Sequence, residues 1–161
     1  MTPVAQPSSL PPQNGDSSAS NVLPEEFWQG VEQFNQQEYY ACHDTLEALW
    51  IEAVEPQKRF YQGVLQIAVA CHHLLNLNWR GAVILLGEGL GRLRDYQPDY
   101  EGIDVTSLII QSAKLLQALQ ESGQEQVADF VKQLEAEQTG GSNEVSESVS
   151  RWLPKIGRVE S

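Results

Sequence analysis

The chain has 161 residues, of which 41% are hydrophobic, and its formal net charge is −12, with 10 Lys and Arg against 22 Asp and Glu. This length is enough for one domain. The sequence shows no cluster of Lys and Arg, which binding to nucleic acid or attraction to an anionic membrane surface requires, so we expect neither partner.

The two ends of the chain differ in composition from the middle. Residues 1–23 are rich in Pro and Ser, and residues 139–161 open with Thr-Gly-Gly-Ser-Asn and remain polar. Neither end offers enough apolar surface to offset the entropy of ordering. The sequence therefore predicts a helical domain at 24–138 between a disordered N-terminal tail, 1–23, and a disordered C-terminal tail, 139–161. An apolar island at 151–156 suits a short docking peptide.

The start of the chain and its cysteines predict the cellular compartment. The first residues lack the basic and apolar regions of a secretory signal, and no stretch reaches about 18 uninterrupted apolar residues. Cys42 and Cys71 both lie in apolar helical patterns, which indicates buried, reduced thiols. We therefore expect a cytoplasmic protein.

Apolar residues at helical spacing predict six helices. The third is the most apolar part of the sequence and is expected at the centre. Asp104 is the predicted N-cap of the fifth, after a loop at 97–102. No segment alternates as a strand does, so the predicted fold is all-α, an irregular bundle of about five to six helices with antiparallel hairpins. The helices fall near 24–34, 38–53, 56–76, 79–95, 104–120 and 127–134.

Polar residues occupy helix faces that the apolar pattern would reserve for the core. His43 and Glu47 are one turn apart on the second helix. Gln62, Gln66 and His73 form a second polar stripe along one side of the third helix. If these helices pack as a hairpin, the two stripes meet. The predicted cluster then comprises His43, Glu47, Trp50, Gln62, Gln66 and His73.

The composition of this cluster leaves three interpretations open. In the first, His43, Glu47 and His73 bind a divalent metal and leave a position open for water. In the second, Glu47 orients His43 for proton exchange with a bound ligand and no metal takes part. In the third, the cluster is a buried hydrogen-bond network that sets the register of the two helices.

Two classes of function follow from these interpretations. The first is a small helical protein with a ligand or metal site at the cluster. The alternative is a helical adaptor, with a protein partner or a homodimer, whose cluster is structural. The turns that precede Ala41 and Ala82 are similar to those of tetratricopeptide repeats, but the two alanines are 41 residues apart instead of 34.

Two segments resemble the signature of the domain of unknown function 309 family. They are Tyr39–Trp50, with the sequence YYACHDTLEALW, and Arg59–Ala70, which is followed by His73. The resemblance covers about 34–110 and implies a small all-helical bundle, found in bacteria and archaea, with no known activity. All six residues of the predicted cluster match the family pattern, whereas Asp44 stands where the family usually has Glu.

Overall fold

The structure is a computed structural model that describes residues 23–138 and 152–159, except for the side chains of residues 137 and 138. The prediction of an all-α fold with five to six helices is confirmed. Within the described residues, no helix combines the length and the apolar character needed to cross a membrane. The described part of the chain contains six α-helices, α1 (Glu25–Asn35), α2 (Tyr39–Glu52), α3 (Gln57–Leu75), α4 (Trp79–Leu93), α5 (Val105–Ser122) and α6 (Val127–Gln138).

Helix α3 is central, as its apolar composition predicted. It packs against α2 on one side and α4 on the other, and it also touches α6. Its buried side chains recur every three or four residues, the period that lines one face of a helix. The remaining face of α3 is half-buried and carries the polar residues of the predicted cluster. The buried face includes Phe60, Val64, Ile67, Cys71 and Leu74.

Two glycines allow the backbones of α3 and α4 to approach each other closely. A Cβ atom added at Gly89 would lie 3.0 Å from the carbonyl oxygen of Gly63, and one added at Gly63 would lie 2.8 Å from Cδ2 of Leu93. Both distances are shorter than ordinary van der Waals contact. By contrast, nothing lies within 4 Å of a Cβ added at Gly87 or Gly91.

A short β-hairpin replaces part of the loop predicted at 97–102. Strands β1 (Asp99–Tyr100) and β2 (Ile103–Asp104) pair antiparallel, and the turn residues Glu101 and Gly102 have φ angles of 48° and 93°. The sequence did not predict these strands, because an alternating apolar and polar pattern cannot be recognised over two residues. Asp104 caps α5 as predicted, because its Oδ1 accepts a hydrogen bond of 3.0 Å from the Ser107 N–H.

Residues 152–159, defined here as the strap, pack against the helical domain. Leu153 and Ile156 are only 1% and 4% exposed. The Asp104 N–H donates to the Gly157 carbonyl at 2.9 Å, and the Val159 N–H donates to the Gly102 carbonyl at 3.0 Å. The prediction of disorder is therefore wrong for the strap, because its apolar side chains are buried and its backbone pairs with the edge of β2. Leu23, the last residue of the predicted N-terminal tail, is 3% exposed and belongs to the core. The remaining predicted tail residues, 1–22, 139–151, 160 and 161, lie outside the described residues.

Candidate functional site

The packing of α2 determines which of its side chains reach the surface. Tyr39, Cys42 and Leu46 are its buried residues, and they follow one another at intervals of three and four. They face α1 and α3, the two helices that pack against α2. His43 and Glu47 each follow a buried position by one residue, so they emerge at the border between the core and solvent.

Three side chains of α2 converge at this border and are defined here as the His43 cluster: His43, Asp44 and Glu47. The Nδ1 atom of His43 lies 3.2 Å from Oδ1 of Asp44, and its Nε2 atom lies 3.7 Å from Oε1 of Glu47. The three side chains are 31%, 61% and 46% exposed. In the part of the chain that the structure describes, this is the one group of three His, Cys, Asp or Glu residues whose ligand atoms lie within 4.8 Å of one another.

The contact with Asp44 selects one tautomer of His43. At 3.2 Å, a proton on Nδ1 can be donated to the carboxylate, whereas the Glu47 oxygen at 3.7 Å is beyond a hydrogen bond. With a single proton on the ring at Nδ1, the lone pair is on Nε2, on the side where Glu47 lies. A carboxylate behind the imidazole and a free Nε2 in front of it are the arrangement seen in metal-binding histidines.

A small cleft adjoins the His43 cluster between α2 and α3. Its volume is about 80 Å³, and its lining consists of Tyr40, His43, Val69 and His72. The Tyr40 ring is 6.0 Å from that of His43, with an angle of 27° between the planes, and 5.6 Å from that of His72. Tyr40 is nevertheless 63% exposed. The cleft therefore offers an apolar floor and aromatic walls beside an imidazole.

The structure does not place Gln66 and His73, two residues of the predicted second stripe, in the His43 cluster. Gln66 faces α4, since its Nε2 donates to Glu88 at 3.0 Å and its Oε1 accepts from Arg92 at 3.0 Å. His73 lies at the connection between α3 and α4, where its Nδ1 is 3.3 Å from Nδ2 of Asn78. Asp44 thus takes the place that the sequence analysis gave to His73 in the three-residue group.

The other two predicted residues, Trp50 and Gln62, lie near the end of α2 and near the start of α3. Trp50 is near the end of α2, where the Lys58 ammonium lies 4.5 Å from its ring centroid and donates to its carbonyl at 2.8 Å. Gln62 is on the half-buried face of α3. All six residues of the predicted cluster are half-buried.

Sequence reasoning missed Tyr40 and His72 as neighbours of His43. Tyr40 precedes His43 by three residues, and His72 follows Val69 by three, so each pair shares a helix face. Helical spacing alone could have suggested both residues. The sequence left Asp44 open as a solvent-facing charge or an outer-shell partner, because residues adjacent in a helix usually diverge.

The two cysteines do not contribute a nucleophile to this site. Both are free and buried in the core. Burial raises the pKa of the Cys42 thiol to about 12, and burial likewise raises the pKa of the Cys71 thiol to about 12. A thiol with such a pKa is protonated at neutral pH and is a poor nucleophile.

Comparison with known proteins confirms the resemblance stated from the sequence. Residues 27–85 match the family described as Domain of unknown function (DUF309). The chain is also similar to "Uncharacterized protein YpuF" of Bacillus subtilis (strain 168), with 31% identity over 91 residues, or 56% of this chain and 49% of that protein. The chain thus spans about half the length of this curated relative. No solved structure matches the chain.

Proposed function

Since residues 27–85 match a family of unknown function, DUF309, we propose a function from the geometry of the site: the His43 cluster binds a divalent transition-metal ion. The Nε2 atom of His43 and the carboxylate of Glu47 are the protein ligands. Asp44 is a supporting residue that orients the imidazole. The observation that carries the proposal is the 3.2 Å contact between Asp44 and Nδ1, because it leaves Nε2 free beside Glu47.

The separation of the two ligand atoms supports this proposal. Imidazole nitrogen and carboxylate oxygen lie about 2.1 Å from Zn²⁺, so a tetrahedral ion holds two such atoms about 3.4 Å apart. Nε2 of His43 and Oε1 of Glu47 are 3.7 Å apart, which a small side-chain rotation reduces to that value. A mixed nitrogen and oxygen donor set suits Zn²⁺, Ni²⁺, Co²⁺ and Mn²⁺ better than Ca²⁺ or Mg²⁺.

Two protein ligands leave the remaining coordination positions to water or to a bound molecule. The exposure of Glu47 gives such a molecule access from solvent, and the cleft lined by Tyr40 and Val69 can accept a small apolar group beside it. The free, buried thiols of Cys42 and Cys71 fit the cytoplasmic location expected from the sequence.

Calorimetric titration of the full chain without a His tag, with Zn²⁺ and Ni²⁺ in turn, tests the proposal. We expect one bound ion per chain and loss of binding in His43→Ala. Glu47→Gln removes a ligand charge, and Asp44→Asn removes the partner of Nδ1, so each should weaken binding by about 10- to 100-fold.

Two matched variants show whether the effect is specific. Glu52→Gln neutralises an exposed carboxylate on the same helix, and His73→Gln removes the histidine that the sequence analysis had included, so neither should change the affinity. Binding that persists unchanged in His43→Ala contradicts the proposal. Binding that is lost in His73→Gln would instead favour the ligand set predicted from the sequence.

A further inference from the structure

The strap lies in a groove whose polar side chains hold its backbone. The Asn35 side chain donates to the Ile156 carbonyl at 2.9 Å and accepts from the Ile156 N–H at 2.7 Å. Gln111 does the same for the preceding residue, donating to the Lys155 carbonyl at 3.1 Å and accepting from the Lys155 N–H at 2.9 Å. Together with the two hydrogen bonds to the β-hairpin, six backbone groups of the strap are paired with the domain.

Side-chain contacts add selectivity to this backbone recognition. Leu153, Pro154 and Ile156 are buried. The Lys155 ammonium donates to the Asn35 carbonyl at the end of α1 at 2.7 Å, where the partial negative charge of a helix C-terminus favours a cation. The Arg158 guanidinium lies 3.8 Å from the ring centroid of Trp28.

Charge also favours this occupant of the groove. The whole chain has a formal net charge of −12, whereas residues 151–159 include three basic residues and no acidic one. A basic, extended peptide is therefore attracted to the acidic domain. Backbone pairing at a strand edge together with apolar pockets is a recurring way in which proteins bind linear peptides.

None of these contacts depends on the covalent link between the strap and the domain. Asn35 and Ile156 are 121 positions apart in the chain, and Gln111 and Lys155 are 44 apart. We therefore infer that the groove is a peptide-docking site for the Leu153-Pro154-Lys155-Ile156 sequence, and that the strap of a second copy of the chain can occupy it. The covalent link gives the strap of the same chain a higher effective concentration at the groove than the strap of a second copy. Binding of the second copy's strap therefore dominates only where the chain's own strap cannot bind. The inference is independent of the proposed metal site.

A mixing experiment with two full-length variants tests this exchange. In the strap variant, Leu153→Asp with Ile156→Asp prevents docking but leaves the groove intact. In the groove variant, Asn35→Ala with Gln111→Ala removes both side-chain clamps but leaves the strap intact. We expect each alone to elute as a single chain, and their mixture at about 100 µM to form a heterodimer of twice the 18.0 kDa chain mass in size-exclusion chromatography with light scattering.

A labelled peptide with the sequence of residues 151–161 provides a second measurement. By fluorescence anisotropy it should bind the strap variant at least 10-fold more tightly than the wild-type chain, whose own strap competes, and a scrambled peptide should not bind. Absence of both the heterodimer and peptide binding overturns the inference. If circular dichroism shows that the aspartates unfold the domain, Ile156→Pro, which removes one backbone donor, replaces the strap variant.

Discussion

The strap groove and the His43 cluster are both built from polar side chains on helices, but they use these side chains in opposite ways. In the groove, the amides of Asn35 and Gln111 direct both their donors and their acceptors at backbone groups of the strap. In the cluster, Asp44 and Glu47 lie beside the two nitrogens of one imidazole, and their side chains are 61% and 46% exposed.

This difference distinguishes polar side chains that hold the fold together from polar side chains that remain available to bind a ligand. A half-buried amide that closes two hydrogen bonds with a backbone has little left to offer a ligand, and its removal leaves buried groups unpaired. An exposed carboxylate beside a free imidazole nitrogen keeps its lone pairs available, and its removal costs the fold little. Stability measurements and binding measurements should therefore respond to different residues.

The largest expected effect on stability is in the strap. Leu153→Ala removes a side chain that is 1% exposed, and we expect it to lower the free energy of unfolding by about 2–4 kcal/mol, as in other buried positions. Chemical denaturation followed by circular dichroism measures this loss. Ile110→Ala, on α5 and 51% exposed, is the matched control and should change it by less than about 0.5 kcal/mol. A similar small change in Leu153→Ala would mean that the strap does not stabilise the domain.

Buried and exposed groups also differ at two adjacent residues of α2. The Cys42 thiol is buried, whereas the His43 side chain is 31% exposed. Burial raises the pKa of the Cys42 and Cys71 thiols to about 12. An aromatic disulfide reagent at pH 8 should therefore react at least about 100-fold more slowly with the native chain than with the denatured chain. The denatured thiols lose their protons at a lower pH than the folded ones. The free energy of unfolding should therefore fall as the pH rises from about 9 toward 12. Rapid reaction of one thiol in the native chain would place Cys42 or Cys71 at the surface.

The smallest effect is expected in the His43 cluster itself. Asp44→Asn and Glu47→Gln should each change the free energy of unfolding by less than about 0.5 kcal/mol without added metal, because exposed charge pairs contribute little. The same denaturation assay, repeated with Zn²⁺, should show stabilisation of the wild-type chain that both variants reduce. A large loss of stability in either variant without metal would make the cluster structural, like the groove.

Local patterns in the sequence predicted the features that depend on neighbouring residues. Helical periodicity predicted the six helices of residues 23–138, and a side-chain oxygen before an apolar run predicted the cap at Asp104. The spacing of four residues placed His43 beside Glu47, which the structure shows at 3.7 Å. Each of these features follows from backbone geometry within one or two turns of helix.

Features that depend on the rotation and docking of whole elements could not be predicted in this way. His72 and His73 are about 100° apart around α3, so a modest rotation of that helix decides which one faces α2. The local sequence of the strap indicates a short docking peptide at 151–156 within a polar tail, but it does not indicate where that peptide docks. Its partners come from α1, β2 and α5, which no local pattern links to residues 152–159.

The unequal surroundings of the glycines in α4 have a practical use. Gly89 is pressed against α3, whereas Gly87 is exposed and has open space where a side chain would begin. With both native thiols enclosed in the core, Gly87→Cys would carry the reactive sulfur to which a fluorophore attaches without removal of Cys42 or Cys71. A dye at that position would report on the mixing of two copies from a helix that belongs to neither the groove nor the His43 cluster.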